Sequence, residues 1–115
     1  MERIAVLGST GSIGTSALQV ISRFPDKFKV CALSANTNVE LLKKQAKIFR
    51  PEAVSISGRK VNKGEWGKIK VYEGEDGLSS MLKDVKVDIA LVGIAGSSAL
   101  LPIITLLDRV KRIAL

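Results

Sequence analysis

The sequence of 115 residues contains no histidine, a single cysteine and few aromatic residues. Without histidine, the chain supplies no imidazole general base, no imidazole metal ligand and no Ser-His-Asp triad. The single cysteine, Cys31, excludes an intrachain disulfide, and its place inside an apolar run is typical of a buried thiol. Aromatic residues make up 4% of the chain and hydrophobic residues 46%, so we expect a core of small aliphatic side chains.

Long hydrophobic runs are also missing. Polar residues or glycine interrupt each apolar stretch well before the ~20 residues that a membrane helix needs. Met1 leads directly into a strand-like segment and not into the apolar region of a signal peptide. We therefore predict a cytoplasmic protein that does not interact with membranes.

The net charge of +7 suggests at first a nucleic-acid-binding protein. In the predicted helix at 38–50, however, Lys43, Lys47 and Arg50 fall on one face, opposite an apolar face, as on an ordinary solvated helix. Aromatic residues that could stack on bases are scarce. We expect no nucleic-acid partner, whereas the same positive field would attract a small anionic ligand.

Apolar, β-rich segments alternate with segments of helical periodicity along the chain. We predict strands at 3–8, 28–34, 53–57, 68–72, 87–93 and 112–115, and helices at 9–24, 38–50, 78–84 and 97–110. The predicted buried face of the first helix consists of Ile13, Ala17, Val20, Ile21 and Phe24. Alternating strands and helices predict a single α/β domain over 1–115, Rossmann-like and doubly wound, with a mainly parallel sheet.

The segment GSTGSIG, residues 8–14, connects the first predicted strand to the first predicted helix. In a doubly wound sheet, this turn is where a nucleotide pyrophosphate binds. Gly8 would allow a sharp exit from the strand, Gly11 would let backbone amides approach the phosphates, and Gly14 would let the helix pack closely on the sheet. Residues 10–13 would offer amides and hydroxyls at the positive end of the helix. A purely structural turn is the alternative.

The second predicted strand ends in SANTN, residues 34–38. NAD-specific sites carry an Asp or Glu about 20 residues after the glycine turn, which accepts a hydrogen bond from the ribose 2′-hydroxyl. Because no carboxylate stands here, a 2′-phosphate meets no repulsion, and we predict NADPH contacts from Asn36, Thr37 and Asn38. Thr37 and Glu40 also match a capping box. Capping of the second helix by Thr37 or Asn38 is therefore the alternative, and one residue is able to do both.

Two other segments have less specific signals. VGIAGSS, residues 92–98, ends a strong strand and is predicted to lie beside the glycine turn, where a structural turn is an equal alternative. Trp66 is expected either to pack on the sheet edge or to be exposed. The eleven carboxylates show no paired arrangement with metal-ligand spacing.

Three stretches carry a resemblance to a known family: LGSTGSIGTSALQVI, FPDKFKVCALSANTNVELL and VDIALVGIAGSSALLPIITLL. Over its full length, the chain resembles the amino-terminal NADPH-binding domain of the 1-deoxy-D-xylulose 5-phosphate reductoisomerases. This resemblance implies an enzyme of isoprenoid precursor biosynthesis. Such an enzyme rearranges the carbon skeleton of its phosphosugar substrate and reduces the resulting aldehyde with hydride from NADPH. It also implies Mg²⁺ or Mn²⁺ at the substrate oxygens and a homodimeric assembly.

Position by position, the resemblance assigns cofactor binding to Thr10, Gly11, Ser12, Ile13, Asn36, Thr37 and Asn38. Several members have a Gly-Lys pair at 36 and 37, whose lysine neutralises the 2′-phosphate; Asn36 and Thr37 offer only neutral donors. The family is expected to continue past Leu115 with an Ala-Asn-Lys-Glu-Ser segment and a catalytic domain that bears acidic metal ligands. We therefore expect a fragment that holds part of the cofactor, has no catalytic residue or metal ligand of its own, and is inactive alone.

Other protein classes share parts of this pattern. Extended short-chain dehydrogenases need a Tyr-x-x-x-Lys pair, but the fourth residue after Tyr72, the sole tyrosine, is Asp76. Aspartate-semialdehyde-type dehydrogenases need a cysteine beyond a strand end, whereas Cys31 is predicted inside a strand. A stand-alone NADP-sensing or partner-docking module without catalysis stays open as the alternative function.

Overall fold

The computed structural model describes residues 1–93 and 112–114. The first part alternates strands and helices: β1 (Glu2–Leu7), α1 (Ser12–Ile21), β2 (Phe28–Ala35), α2 (Val39–Phe49) and β3 (Ala53–Ile56). The rest comprises a 3-10 helix (Lys63–Trp66), β4 (Lys70–Glu73), α3 (Gly77–Asp84), β5 (Ile89–Val92) and β6 (Arg112–Ala114). The predicted strands are all present within a few residues of their expected bounds. The predicted helix at 97–110 lies outside the described residues.

The described strands form a six-stranded sheet in the order β4-β3-β2-β1-β5-β6, and each neighbouring pair is parallel. Ala5 of β1 pairs with Ala32 of β2 on one side and with Ala90 of β5 on the other. The chain thus builds outward from β1 as far as β4 and then returns to the opposite side of β1. This reversal leaves a crevice beyond the carboxyl ends of β1 and β5, where open α/β sheets bind ligands. The predicted Rossmann-like architecture is confirmed.

Side chains alternate across the sheet into two buried clusters, one on each face. On one face, Leu18 of α1 and Leu42 of α2 belong to the cluster that includes Val6 of β1. On the other face, Met81 of α3 packs with small strand residues such as Ala5. Because helices cover both faces, the central strands are apolar throughout, as is typical of parallel sheets.

The buried face of α1 differs from the prediction. The structure buries Gly14, Leu18 and Ile21, which follow one another at i, i+4 and i+7. Of the predicted face, Ile13 is 64% exposed and Val20 53% exposed, while Phe24 lies beyond the helix and is also exposed. The helix approaches the strand-to-helix turn through Gly14, and this contact rotates the neighbouring apolar residues toward solvent.

The carboxyl end of α1 also lies earlier than predicted. The helix ends at Ile21 and not at residue 24. Ser22 Oγ donates a hydrogen bond to the Gln19 carbonyl oxygen at 2.7 Å, and the Arg23 amide donates to Val20 O at 3.1 Å. These short-range bonds turn the chain out of the helix before Pro25 is reached.

Helix α2 agrees with the prediction in its bounds and in its orientation. It begins after Asn38 and ends before Arg50, which adopts a left-handed conformation with φ of 49° ahead of Pro51. Leu42 and Ala46 are buried, whereas Lys47 is exposed, as expected for an amphipathic helix. In the polar segment that follows β3, Trp66 is 5% exposed and belongs to the core cluster that also contains residues of α2. Of its two predicted environments, Trp66 therefore has the packed one and not the exposed one.

Candidate functional site

The turn between β1 and α1 holds the glycine segment at the carboxyl edge of the sheet. Gly8 has a φ of 81°, a left-handed conformation that a side chain would strain, and its carbonyl accepts from the Gly11 amide at 3.2 Å. Gly11 is the N-cap of α1, and no side chain among the described residues caps it there. The exposed positions that follow, Ser12 and Ile13, therefore begin the helix with amides left open to a ligand.

The three glycines of this turn differ in whether the fold requires them and for what reason. A Cβ built on Gly14 would lie 2.2 Å from the Gly8 carbonyl oxygen and 2.6 Å from Ser9 Cα, so the turn itself leaves no room for a side chain. A Cβ on Gly11 would lie 3.6 Å from the same oxygen, which is ordinary contact, and the φ of Gly11 is −78°. The fold thus requires glycine at 8 for its conformation and at 14 for space. At position 11, the fold requires glycine neither for its backbone conformation nor for space.

A buried network of hydrogen bonds holds the glycine turn in place. Ser9 is fully buried, its amide donates to Ser34 O at 2.8 Å, and the Gly8 amide donates to Ser34 Oγ at 2.9 Å. Ser9 Oγ donates to Gln45 Oε1 at 2.7 Å, and Gln45 Nε2 donates back to Ser9 O at 2.8 Å. Gln45 therefore joins α2 to the glycine turn through two hydrogen bonds made out of contact with solvent.

Sequence reasoning missed Ser9, Ser34 and Gln45. The signal for Gln45 was present, since it lies three residues after Leu42 and one before Ala46, inside the apolar face of α2. A glutamine on a buried helix face needs partners for both its amide groups. That need predicts a polar contact, although it does not identify the partner.

The segment after β2 contains the other three predicted residues, Asn36, Thr37 and Asn38, all of which are exposed. Asn38 is the N-cap of α2, and its Oδ1 accepts from the Leu41 amide at 3.2 Å. The capping box predicted from Thr37 and Glu40 is therefore wrong, and the alternative of capping by Asn38 is confirmed. The Thr37 carbonyl instead accepts from the Val39 amide at 2.8 Å, so the chain is still turning at 37 and enters the helix after 38.

Asn36 is hydrogen-bonded to the loop that follows β3. Its Oδ1 accepts from Ser57 Oγ at 3.1 Å, and its carbonyl oxygen accepts from the Gly58 amide at 2.8 Å. A Cβ on Gly58 would lie 2.1 Å from Asn36 Oδ1 and 2.9 Å from Thr37 Cγ2. The ends of β2 and β3 therefore approach each other so closely that a side chain at 58 would displace the Asn36 and Thr37 side chains from their present positions.

One cleft of about 520 Å³ joins the two predicted parts of the site. Thr10 and Gly11 line it from the turn, Asn36 lines it from the end of β2, and Gly93 lines it from the end of β5. The other predicted residues do not line this cleft: Ser12 and Thr37 follow wall residues in the chain, Asn38 comes one residue later, and Ile13 lines a smaller adjacent pocket of about 70 Å³. The cleft lies at the carboxyl edge of the sheet, at the ends of β1, β2, β3 and β5.

Gly93 occupies the predicted place beside the turn. Its amide donates to the Leu7 carbonyl oxygen at 2.8 Å, and its own carbonyl oxygen is 4.0 Å from where a Cβ on Gly11 would lie. The rest of the predicted second turn, residues 94–98, lies outside the described residues.

Comparison with known proteins identifies the family. The family model described as 1-deoxy-D-xylulose 5-phosphate reductoisomerase matches residues 4–115. The chain belongs to the 1-deoxy-D-xylulose 5-phosphate reductoisomerase family. A reductoisomerase from Phocaeicola vulgatus is 43% identical over 123 residues, which cover 99% of this chain and 31% of that protein. One from Chloroherpeton thalassium is 42% identical, with coverage of 100% and 31%. The chain thus spans about a third of the length of these relatives.

Solved reductoisomerases have the same fold. A crystal structure of DOX-P reductoisomerase in complex with NADPH, fosmidomycin and magnesium superposes with a TM-score of 0.85 at 28% identity, covering 100% of this chain and 30% of the other. The reductoisomerase from Zymomonas mobilis in complex with NADPH gives a TM-score of 0.75 at 30% identity, with coverage of 86% and 27%. The resemblance noted in the sequence is confirmed.

Two other reactive side chains of this reductoisomerase-family chain, Cys31 and Tyr72, do not line the cleft. Cys31 is buried inside β2, where its thiol donates to Ile4 O at 3.3 Å and burial raises its pKa to about 11. It is thus an unreactive core thiol, as the sequence indicated. The Tyr72 hydroxyl donates to Asp84 Oδ2 at 2.6 Å, and burial followed by this bond raises the pKa of the tyrosine.

Two further features concern metals and membranes. Within residues 1–93 and 112–114, no three His, Cys, Asp or Glu side chains are placed to hold a metal ion, so these residues do not fit a Mg²⁺ or Mn²⁺ site. No helix of that same part of the chain is long and apolar enough to cross a bilayer.

Proposed function

We propose that this chain is the NADPH-binding domain of an enzyme that isomerises and reduces 1-deoxy-D-xylulose 5-phosphate to 2-C-methyl-D-erythritol 4-phosphate. The observation that carries the proposal is the shared cleft. The glycine turn after β1 and the Asn36 segment after β2 open into one volume, as a dinucleotide requires when its pyrophosphate and its adenosine ribose bind at neighbouring strand ends.

Gly11 is the residue that supports a ligand-binding role for the turn. The fold has space for a Cβ at this position and does not need a left-handed conformation there. A glycine that packing does not require is explained by a ligand that passes close to the backbone. In the proposed complex the pyrophosphate lies over Gly11 and accepts hydrogen bonds from the start of α1, with contacts from Thr10, Ser12 and Ile13.

The proposal that the cofactor is NADPH and not NADH rests on the residues that follow β2. Asn36, Thr37 and Asn38 present amide and hydroxyl groups to solvent and no carboxylate. A 2′-phosphate placed there is not repelled, and it finds donors from side chains and from the start of α2. Two structurally similar reductoisomerases were solved with NADPH, which supports the same cofactor for this chain.

The proposed role of these residues is to bind and orient the cofactor. NADPH supplies hydride to a carbonyl carbon when it is bound. The described residues offer neither a metal cluster nor a base within the cleft, so we derive no chemical step from them. Mg²⁺ or Mn²⁺ binding, the phosphosugar substrate, the homodimer and the cytoplasmic location are proposals that rest on the family.

Calorimetric titration of the chain with NADPH and NADH at moderate salt tests this function. We expect NADPH to bind and NADH to bind more weakly. Gly11→Val should weaken NADPH by at least about tenfold, equal to ~1.4 kcal/mol, because the added side chain occupies the place of the pyrophosphate.

The control for this experiment is Ser16→Val, which adds the same side chain at an exposed position on α1 away from the cleft. It should leave the affinity for NADPH unchanged. NADPH affinity that Gly11→Val does not alter, in a chain that is still folded, would contradict the assignment of the turn to the pyrophosphate.

A further inference from the structure

We propose that Arg59, on the loop after β3, provides the positive charge that binds the 2′-phosphate and sets the preference for NADPH over NADH. This inference rests on the proposed function and adds a specificity-determining residue to it. A phosphate monoester carries a charge of about −2 at neutral pH and binds tightly where a cation faces it. Residues 36–38 contain no cation, so the charge must come from another element.

The loop that carries Arg59 is held against this segment by specific contacts. Ser57 donates to the Asn36 side chain, and the Gly58 amide donates to the Asn36 carbonyl. The missing side chain at 58 lets the loop approach until a Cβ would collide with Asn36. Arg59 is the next residue along the chain, so these contacts fix its backbone beside the predicted phosphate position.

The side chain of Arg59 extends toward the start of α2. Its Nη1 donates to both carboxylate oxygens of Glu40, at 3.1 and 3.4 Å, two residues beyond the N-cap Asn38. The Arg59 side chain is 51% exposed and that of Glu40 70% exposed, so an incoming anion reaches the pair from solvent. Both bonds come from one nitrogen, whereas a guanidinium carries five N–H donors, which leaves others for a phosphate.

The space beside Arg59 adjoins the candidate cofactor cleft. Arg59 and Lys60 line a second cleft of about 410 Å³, and Ser57 belongs to the walls of both clefts. In the proposed complex, a ligand that extends from the glycine turn past Asn36 reaches the side of the cleft on which Arg59 lies.

Glu40 then acts as a competitor for Arg59. Hydrogen bonding to its own backbone amide and to Arg59 lowers the pKa of this carboxyl, so it is negatively charged at neutral pH. It both occupies the guanidinium and repels a phosphate. Removing the charge at 40 and removing the charge at 59 should therefore change NADPH affinity in opposite directions.

The test is calorimetric titration of four chains with NADPH and with NADH: the unmodified chain, Arg59→Gln, Glu40→Gln and Arg23→Gln. We expect Arg59→Gln to weaken NADPH about tenfold and Glu40→Gln to strengthen it several-fold, with NADH unchanged by both. Arg23→Gln removes the same charge from an exposed position after α1 and should leave both affinities unchanged.

The outcomes separate this inference from the function on which it rests. If the unmodified chain binds NADPH and Arg59→Gln leaves that affinity unchanged, or weakens NADPH and NADH equally, the inference is wrong and the proposed function stands. An equal effect of Arg23→Gln would show a general charge effect and would also overturn it. If the unmodified chain binds neither nucleotide, the proposed function is wrong, and the inference about Arg59 is wrong as well because it rests on that function.

Discussion

The glycine turn and the segment 36–38 lie at the ends of adjacent strands, but they are built in different ways. The turn rests on a buried network in which Ser9, Ser34 and Gln45 satisfy one another. The segment is exposed and is held by a cap and by contacts with a neighbouring loop. The proposed backbone site for phosphate thus rests on the core of the fold, whereas the proposed discrimination between phosphorylated and unphosphorylated ribose depends on surface side chains. Changes at Gly14 or in the buried network should cost stability, and changes at the exposed segment, apart from its cap Asn38, should mainly alter affinity.

The largest difference is expected between two glycines of the turn. Gly14→Ala places a Cβ 2.2 Å from the Gly8 carbonyl oxygen and should lower the free energy of unfolding by about 3 kcal/mol or more. Gly11→Ala meets ordinary contacts and should change it by less than about 0.5 kcal/mol. Urea denaturation followed by circular dichroism measures both. Equal midpoints for the two variants would remove the distinction between a structural and a ligand-facing glycine.

Gln45→Leu tests the network below the turn. Leucine has a similar size but leaves the buried Ser9 carbonyl oxygen without its donor, while Ser9 Oγ keeps only its longer bond to Ser34 O at 3.3 Å, so we expect a loss of about 2 kcal/mol in unfolding free energy. Gln19→Leu, at an exposed position on α1, is the matched control and should be nearly neutral. If both substitutions have the same small effect, the network does not stabilise the turn.

Thr37→Asp tests the segment without touching the core. The new carboxylate repels a 2′-phosphate, so NADPH affinity should fall about tenfold, or ~1.4 kcal/mol, while NADH affinity changes little. Thr37→Asn, which adds similar bulk without charge, serves as the control in the same titrations. Equal losses for the two cofactors would mean that the 2′-phosphate lies elsewhere.

The smallest effect concerns the cap of α2. Asn38→Ala removes the acceptor for the Leu41 amide and should lower the unfolding free energy by about 1 kcal/mol. Asn38→Asp retains that acceptor and should retain stability, yet it should weaken NADPH binding through its charge. Thermal melts and titrations of the same two proteins would show whether stability and affinity separate at this residue.

Much of the fold was predictable because it depends on local spacing. The alternation of apolar strands with amphipathic helices predicts the parallel sheet, and the glycine spacing predicts the turn at its correct place. The end of α2 followed from Pro51, and the capping pattern at Thr37 and Glu40 placed its start within one residue. These signals lie within a few residues of the structure that they specify.

The rest depended on contacts between distant segments. The face of α1 was misassigned because the row Gly14, Leu18, Ile21 is chosen by how closely the helix meets the turn, and its periodicity resembles that of the neighbouring apolar row. The pairing of Gln45 with Ser9 spans 36 residues and that of Arg59 with Glu40 spans 19. Composition and periodicity carry no information about which partner a polar group meets across such separations.

The close approach of Gly58 to Asn36 has a consequence for how such sequences diverge. A side chain at 58 occupies the volume that the amide of Asn36 fills, so the two positions share one limited space. A lineage that replaces Asn36 with glycine frees position 58 to accept alanine or a larger residue, whereas a lineage that keeps Asn36 accepts a side chain at 58 only if the Asn36 amide turns away and gives up its bond with Ser57. The two sites should therefore covary across homologues, and the residue at 36 records which substitutions remain open in the loop that carries Arg59.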